Sequence, residues 1–404
     1  MKLLGSKPEA GNSPGRFLGA GMLKRNLADA RMIPPSNTGW VCAVFFVVAA
    51  LGLAMPSAAQ EKTATSGLSA AGPVVHGTPD DPLRDSRETH LRHVKQLTFG
   101  GLNAEAYFSY DGHRLIFMST RQPYQCDQIF IMNSDGSGQR LVSTGAGRTT
   151  CGYFYTDGKH ILYSSTHEAS KQCPPRPDYS HGYVWGVYLE YQVYYATDQG
   201  KIIKRLTNGP AYNAEATLSA DGKRIVFTSS RDGDLEIYTM NPDGSGAKRL
   251  THTLGYDGGP FFSPDGKWIV YRAHHPNTAL EIEKYKSLLA RGLVEPSQMD
   301  LWLMHADGSG QKQITNLGGA SFAPSFLPNN RRVIFSSNYE HPTSSQFELY
   351  AVNRDGSGLE RITFAGGFSA FPQFSPDGKK LVFISNRNGK APHEINVFIA
   401  DWMP

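Results

Sequence analysis

Residues 262–271 read Phe-Ser-Pro-Asp-Gly-Lys-Trp-Ile-Val-Tyr, a tight turn followed by a strand-forming run. In this turn the proline restricts φ and the glycine accepts a positive φ, which is typical of a link between two antiparallel strands. The run after the turn is rich in β-branched and aromatic residues, which favour a pleated strand. The pattern occurs six times, as FSYDG at 108–112, FYTDG at 154–158, LSADG at 218–222, FSPDG at 262–266, FLPNN at 326–330 and FSPDG at 374–378.

A second turn closes five of these units and leads into a short run such as Arg-Leu-Thr. The second turns are NSDGSG at 133–138, TDQG at 197–200, NPDGSG at 241–246, HADGSG at 305–310 and NRDGSG at 353–358. Each unit therefore reads as strand, turn, strand, loop, strand, turn, strand, the pattern of one propeller blade. We predict an all-β fold, a six-bladed β-propeller of four-stranded antiparallel blades.

The sixth unit has no fourth strand of its own after its third. The segment His-Val-Lys-Gln-Leu-Thr at 93–98 has the pattern of the missing strand. We expect this N-terminal strand to complete the last blade, which would close the ring and leave no open sheet edge. The propeller is then predicted over 93–404, with insertions at about 167–190 and about 272–300.

The N-terminal part of the chain is expected to direct export. Residues 40–54 form an apolar run that basic residues precede, and Ser57 and Ala59 are small residues suited to a processing site. This pattern is typical of a secretory signal peptide. We predict a presequence and signal peptide over 1–59, cleavage near Ala59-Gln60, a flexible polar linker over 60–92, a periplasmic location and no transmembrane segment in the mature chain.

Charge and composition argue against several classes of function. Residues 1–59 contain six Lys or Arg and two Asp or Glu, so their removal leaves 34 residues of each sign. A neutral chain without a basic run has no electrostatic footprint for nucleic acid. We expect no nucleic-acid partner and no cofactor.

Three cysteines remain after processing: Cys126, Cys151 and Cys173. In an oxidising compartment we expect one disulfide and one free thiol. Cys173 lies in the first insertion, and we predict that it pairs with either Cys126 or Cys151.

Equivalent positions of the six units predict where a ligand could bind. Each position is counted from the Asp of the first turn, or from Asn329 in the fifth unit. The position eight residues earlier is polar in every unit and holds Asn103, Thr149, Asn213, Asp257, Ser321 and Ser369. The position two residues further on holds Glu105, Cys151, Glu215, Gly259, Ala323 and Phe371. The position ten residues after the Asp holds Arg121, His167, Arg231, His275, Tyr339 and Arg387.

These sets are expected to lie at one mouth of the central channel. One interpretation is a polar, partly cationic collar that captures an acidic or peptide ligand, because guanidinium groups match carboxylates. The other is that these side chains satisfy backbone groups at strand ends and pair with neighbouring blades. The candidate ligand-binding residues are Asn103, Glu105, Arg121, Arg148, Asn213, Glu215, Arg231, Asp257, His275, Tyr339, Arg387 and Trp185.

The two insertions should emerge on the same face as the collar. The first is rich in proline and aromatic residues, Trp185 among them. The second predicts a helix near 277–292, with Thr278 and Glu281 as a capping box and Gly292 as its stop. Long insertions on a rigid scaffold often carry function, although a purely stabilising lid is equally consistent with the sequence.

The repeated Ser-Pro-Asp-Gly turn, the Asp-Gly-Ser-Gly turn and the Arg-Leu-Thr strand resemble the propeller of the TolB family, the periplasmic component of the Tol-Pal envelope system. The resemblance covers 93–402. TolB also has an N-terminal α/β domain. Residues 60–92 of this chain, which precede the predicted propeller, do not resemble that domain. It implies a protein- or peptide-binding scaffold that is monomeric and has a protein or peptide partner, with an envelope lipoprotein as one candidate.

An alternative function is a metal-dependent hydrolase or lactonase that uses the central channel. In that function Glu105, Glu215 and Asp257 would bind a divalent cation, together with Asn103 and Asn213, because divalent cations prefer oxygen ligands. No complete set of nucleophile, base and oxyanion donors is visible in the sequence. We therefore expect a binding protein rather than an enzyme.

Overall fold

The computed structural model describes residues 72, 73, 75–180 and 182–404. The expected signal peptide and its cleavage site lie outside the described residues. The described chain forms six four-stranded antiparallel sheets, each packed against the next around a central channel. This is the predicted six-bladed β-propeller. No helix in the described part of the chain is long and apolar enough to cross a membrane.

Each blade contributes four strands, which are numbered in chain order and follow one another from the channel outward. Blade 1 comprises β2 (Leu102–Phe108), β3 (Arg114–Thr120), β4 (Gln128–Asn133) and β5 (Arg140–Leu141); blade 2 comprises β6 (Thr149–Phe154), β7 (His160–Ser165), β9 (Gln192–Thr197) and β10 (Ile202–Arg205); blade 3 comprises β11 (Asn213–Leu218), β12 (Ile225–Ser229), β13 (Glu236–Met240) and β14 (Lys248–Arg249). Blade 4 comprises β15 (Tyr256–Phe262), β16 (Trp268–His274), β18 (Asp300–His305) and β19 (Lys312–Gln313); blade 5 comprises β20 (Ser321–Phe326), β21 (Arg332–Ser337), β22 (Glu348–Asn353) and β23 (Glu360–Arg361); blade 6 comprises β24 (Ser369–Phe374), β25 (Lys380–Ser385), β26 (Asn396–Trp402) and β1 (Leu91–Gln96).

The ring closes through the N-terminal strand β1. It pairs antiparallel with β26, and its register runs from Leu91 opposite Trp402 to Gln96 opposite Phe398. The strand begins two residues before the segment that the sequence indicated. Because β1 occupies the outer edge of blade 6, the beginning and end of the propeller are held in one sheet.

The core lies between the blades. Both faces of the second strand of each blade are covered by neighbouring blades, so each of these strands contains a run of consecutive hydrophobic residues instead of an alternating pattern. The whole of β12 is buried, as is Leu115-Ile116-Phe117 in β3. Phe227, Phe335 and Phe383 occupy the position equivalent to Phe117 and are also fully buried. Burial of large apolar side chains is the main contribution to the stability of such a fold.

A β-bulge interrupts every innermost strand at the same place. In β2 the pairing with β3 shifts between Ala104 and Tyr107. The residue at the bulge has a positive φ of 51° to 58° in all six blades, a conformation that is uncommon for any residue other than glycine. The six bulge residues are Glu105, Cys151, Glu215, Gly259, Ala323 and Phe371.

The two insertions are joined to each other above the start of the innermost strands. They comprise residues 166–191 of blade 2 and 275–299 of blade 4, and we call them together the lid. The short strands β8 (Trp185–Gly186) and β17 (Leu293–Val294) pair across the two insertions. The helix α1 (Ala279–Ala290) has the predicted capping box of Thr278 and Glu281, and Gly292 follows its end with a positive φ.

We name the end of the propeller that carries the lid the lid face, and the end that carries the Asp-Gly-Ser-Gly turns the opposite face. Both names follow from strand direction, because the innermost strands begin at the lid face and run toward the opposite face.

Residues 78–90 differ from the expected flexible linker. Thr78 and Asp81 form a β-bridge, and Asp81, Asp85 and Glu88 are buried against the propeller. The expectation of a flexible linker over 60–92 is therefore wrong for this stretch. Polar residues suggested a linker, but in the structure Asp81 and Glu88 of this stretch form hydrogen bonds with the propeller.

Candidate binding site in the central channel

Three aromatic residues close the channel toward the opposite face. They follow the bulge by two residues in blades 1, 2 and 4, and are Tyr107, Tyr153 and Phe261. The ring centroid of Tyr107 lies 5.7 Å from that of Tyr153 and 5.4 Å from that of Phe261. Gln373 of blade 6 donates a hydrogen bond to the Tyr153 hydroxyl at 3.3 Å. The channel is therefore a cup with an aromatic floor and walls formed by the bulge residues.

Two of the wall residues are glutamates, and the one in blade 3 is neutralised. Glu215 forms an ion pair with the guanidinium group of Arg272 from blade 4. Its Oε2 accepts the Gly259 N–H at 2.8 Å and the Thr228 hydroxyl at 2.7 Å. The Tyr256 hydroxyl accepts from Arg272 at 2.6 Å. Proximity to Glu215 and Tyr256 outweighs burial and raises the pKa of Arg272 above its ordinary value, so this arginine stays charged.

Two glycines allow Arg272 to reach the cup. A Cβ on Gly259 would lie 2.2 Å from Arg272 Nη1, and a Cβ on Gly258 would lie 2.2 Å from the Tyr256 hydroxyl. Gly259 also has φ +58°, which glycine adopts without strain. The other five blades have a side chain at the bulge. In blade 4 the bulge residue is Gly259, and the guanidinium group of Arg272 from β16 occupies the equivalent space.

Glu105, the glutamate in blade 1, has no cationic partner among the described residues. Glu105 Oε2 accepts the Cys151 N–H at 2.9 Å, the same contact that Glu215 makes with Gly259. No ion pair to Glu105 is formed among the described residues, and the groups that contact its carboxylate are the Cys151 N–H and thiol and the Thr150 hydroxyl. Burial raises the pKa of Glu105 to about 7; the Cys151 hydrogen bond lowers it, Glu215 raises it and Arg272 lowers it.

The lid covers part of the cup. The Arg272 guanidinium carbon lies 5.0 Å from the Trp185 ring centroid and 5.5 Å from that of Tyr256. Such cation–π contacts are worth about 0.5–2 kcal/mol each. Trp185 thereby couples the lid to the only charged pair of the described cup. Trp185 therefore lies beside Arg272 and stays a candidate ligand-binding residue.

Asn103 and Asn213 lie between strands and do not point into the cup. Asn103 accepts from Ser119 at 2.8 Å and from Arg121 at 3.0 Å, and Asn213 accepts from Ser229 and Arg231 at the same distances. Both asparagines are buried. These contacts match the second interpretation, in which polar side chains at strand ends satisfy one another.

The candidate arginines are held against phenylalanine rings of their own blades. The guanidinium carbons of Arg121, Arg231 and Arg387 lie 5.3, 5.2 and 5.0 Å from the ring centroids of the phenylalanine four residues earlier. Arg387 is fully buried and pairs with Glu88. The N-terminal segment covers Arg387, so this candidate is not open to a ligand at the lid face.

Asp257 and His275 form a pair at the base of the lid. His275 Nε2 lies 2.9 Å from Asp257 Oδ1, and Asp257 is buried. Burial raises the pKa of Asp257, and His275 lowers it. Glu105, Glu215 and Asp257 do not converge: within the described part of the chain, no three His, Cys, Asp or Glu side chains form a metal-binding group. The metal set of the alternative function is therefore not assembled.

Arg148 and Tyr339 lie at the rim of the lid face. Arg148 Nε is 3.5 Å from Asp127 Oδ2, and its guanidinium carbon is 5.8 Å from the Tyr188 ring centroid of the lid. Tyr339 is 40% exposed and packs edge-on against Tyr350. Both side chains are accessible from the lid face, and both stay candidates.

The family can be assigned once this geometry is known. A family model described as the TolB beta propeller domain matches residues 189–288 and 293–397, about half of the chain. The chain belongs to the TolB β-propeller family. No match was found among curated proteins.

Several solved structures align with this TolB-type propeller. One described as a TolB of Agrobacterium tumefaciens aligns with a TM-score of 0.51 at 20% identity, over 77% of this chain and 97% of that one. TolB from Acinetobacter baumannii aligns at 0.48 and 17%, over 75% and 64%. Oligogalacturonate lyase from Vibrio parahaemolyticus aligns at 0.46 and 12%, over 79% and 95%. At these identities the likeness concerns the fold alone.

The disulfide of this TolB-type propeller joins Cys126 to Cys173, with a Cα–Cα distance of 6.0 Å. This is one of the two pairings that the sequence left open. Among the described residues Cys151 is the free cysteine, and it is buried in the cup wall. The disulfide ties the first insertion of the lid to the loop after β3 in blade 1.

Sequence reasoning missed Arg272 and the aromatic floor. A signal for Arg272 was present, because an arginine interrupts the apolar run Trp-Ile-Val-Tyr-Arg-Ala where the equivalent residues are Met118, Ser164, Thr228, Ser336 and Ile384. The glycine pair at 258–259 was a second signal. The floor residues lie two positions after the bulge, and their signal was the aromatic side chain that blades 1, 2 and 4 share at this position.

Proposed function

We propose that this chain is a protein- or peptide-binding propeller of the cell envelope, exported to the periplasm, which binds its partner at the lid face. Membership of the TolB β-propeller family supports this function. The partner is a protein or peptide, with an envelope lipoprotein as one candidate, and the chain acts as a monomer. We propose no catalytic activity.

The observation that carries this proposal is the distribution of exposed apolar side chains. Ten large hydrophobic side chains in the described residues are exposed, and seven of them lie on the lid face. Exposed apolar groups concentrated on one surface are typical of protein interaction sites. The seven are Phe99, Leu102, Tyr179, Tyr183, Leu189, Leu280 and Tyr339.

Phe99 on the propeller rim is 77% exposed, and Tyr183 is the most exposed residue of this set in the first insertion, at 65%. Tyr183 stacks on Tyr179 with ring centroids 6.0 Å apart. Its hydroxyl accepts from Trp185 Nε1 at 3.2 Å. A partner that contacts these tyrosines would therefore also reach Trp185 and, through it, Arg272 of the cup.

The shape of the channel favours the same face. The aromatic floor lies toward the opposite face, so a ligand that reaches Glu105 would enter from the lid face. Concave sites with apolar walls and a few placed polar groups are the usual sites for ligands. The cup adds such a site at the centre of the apolar lid face.

Site-specific photo-crosslinking in cells that express the chain tests this function. We would place benzoylphenylalanine at Phe99 or Tyr183 on the lid face, and at Leu359 or Met403 as matched exposed positions of the opposite face. Crosslinked adducts with another protein are expected from the lid-face positions alone. Adducts from Leu359 or Met403 alone, or from none of the four positions, would contradict the proposal.

A further inference from the structure

The two channel glutamates occupy equivalent positions and differ in one respect. Glu105 and Glu215 are both bulge residues, and each accepts the bulge N–H of a following blade, at 2.9 and 2.8 Å. Glu215 has Arg272 as its counter-ion, whereas Glu105 has none among the described residues. The cup therefore carries one unpaired carboxylate when Glu105 is ionised.

The free oxygen of Glu105 faces the cup. Oε2 is occupied by the Cys151 N–H and lies 3.5 Å from the Thr150 hydroxyl. Oε1 accepts no hydrogen bond from an N–H or O–H group of the described residues, and Glu105 is partly exposed. Solvent or a ligand entering the cup can therefore reach Oε1.

The surroundings of Glu105 suit an organic cation better than a metal ion. Tyr107, Tyr153 and Phe261 form the floor below it, and aromatic rings attract ammonium and guanidinium groups within about 6 Å. A calcium ion requires six to eight oxygen ligands. Near Glu105 the cup offers few oxygens, and no group of three metal-binding side chains occurs in the described residues.

We propose that the cup receives a positively charged group of the bound peptide or protein, namely a lysine or arginine side chain or an N-terminal ammonium group, with Glu105 as its counter-ion. This inference rests on the proposed function and adds the chemistry of the ligand to it. Arg272 already pairs with Glu215 and would repel a second cation there. The cup would therefore accept one cationic group, next to Glu105. The aromatic floor would contact the carbon chain of the entering residue.

The charges that face Glu105 determine how binding depends on pH. Glu215 from β11 and Arg272 from β16 form a neutral pair, and Cys151 from β6 and Tyr107 from β2 stay uncharged because burial raises the pKa of each well above its ordinary value. Glu105 is then the group whose protonation changes the cup near neutral pH. Binding of a cation should strengthen as the pH rises from 5.5 to 8, because only the ionised carboxylate pairs with it.

Peptide selection on the full exported chain tests the inference. A displayed library of random 12-residue peptides would be selected on the wild type, on Glu105→Gln and on Glu283→Gln. Glu283 is an exposed residue of α1, so its substitution makes the same chemical change on the lid face but outside the cup. The best peptides would then be synthesised with lysine or arginine and, in parallel, with norleucine at the same position.

The wild type and Glu283→Gln should bind the basic peptide about tenfold or more tightly than its norleucine analogue, as expected for a desolvated charge pair. In Glu105→Gln this ratio should fall to about one. A ratio near one in the wild type, or an unchanged ratio in Glu105→Gln, would overturn the inference while the proposed function stands. If no peptide binds and crosslinks arise only from the opposite face, the proposed function fails, and the inference fails with it.

Discussion

Arg387 of blade 6 and Glu88 of the N-terminal segment form a fully buried, bidentate ion pair, with N–O distances of 2.9 and 3.0 Å. Arg387 also donates to the Leu83 carbonyl at 3.0 Å, and Glu88 accepts the Phe364 and Asp85 N–H groups, both at 3.0 Å. The pair therefore joins three chain segments. It lies beside the closure of the ring, where β1 completes blade 6.

Arg387→Ala should lower the free energy of unfolding by about 3–5 kcal/mol, because it leaves the Glu88 carboxylate buried without its cation. Urea unfolding measures this loss. Arg331→Ala is the control, since Arg331 is exposed and its loss should change stability by about 0.5 kcal/mol or less. A loss in Arg387→Ala no larger than in this control would show that the pair does not stabilise the closure.

Glu105→Gln should stabilise the protein above neutral pH. Burial raises the pKa of Glu105 to about 7 in the folded protein, against an ordinary 4.5. The folded state thus binds more protons between these values, and its stability falls as the pH rises from about 4.5 to 7. Glutamine removes this dependence and retains an acceptor for the Cys151 N–H. The Tm of the variant should exceed that of the wild type at pH 8 and approach it at pH 4.5; an equal difference at both pH values would contradict this.

Gly259→Ala should destabilise the protein by more than the backbone strain of a positive φ alone. A residue other than glycine at positive φ costs about 1–2 kcal/mol. Gly266 has φ +68° and nothing within 4 Å of a built Cβ, so Gly266→Ala measures that cost alone. Gly259→Ala would also push against Arg272 and weaken its pair with Glu215. We expect a lower urea midpoint for Gly259→Ala than for Gly266→Ala, and equal midpoints would show that Arg272 moves aside freely.

The Cys126–Cys173 disulfide should anchor the lid without being required for the propeller. Reduction frees the first insertion from blade 1, whereas the hydrogen-bonded sheets and the core between blades are unchanged. Brief proteolysis should therefore cut the reduced protein within 167–183 and leave the blades intact. The oxidised protein should resist cleavage there. Cleavage at equal rates in both forms would mean that the lid is held by other contacts, such as the β8–β17 pair.

The number and order of the blades could be predicted because the first turn pattern occurs in all six blades and the second in five, and the backbone conformation of each turn depends on local sequence. The helix α1 was predictable for the same reason, since Thr278 and Glu281 satisfy its first N–H groups by themselves. The pairing of Cys173 was narrowed to two partners but not resolved, because it depends on where the first insertion folds back.

The cup could be predicted only in part. Glu105 and Glu215 were identified from their equivalent positions, but their difference arises from Arg272, which reaches the channel from the second strand of blade 4. Arg387 was expected in the collar because its position is equivalent to that of Arg121. Only the packing of residues 78–90 makes it buried, and contacts between segments about 300 positions apart are not visible in local patterns.

Hydrogen–deuterium exchange of the wild type with and without a selected basic peptide tests the central claim most directly, since it locates the bound ligand. We predict slower exchange in the lid near Trp185 and at the bulge N–H groups of β2 and β6, with no change in the turns at 133–138, 241–246 and 353–358. Slower exchange confined to those turns, with the lid and bulges unaffected, would place the ligand on the opposite face and contradict the account.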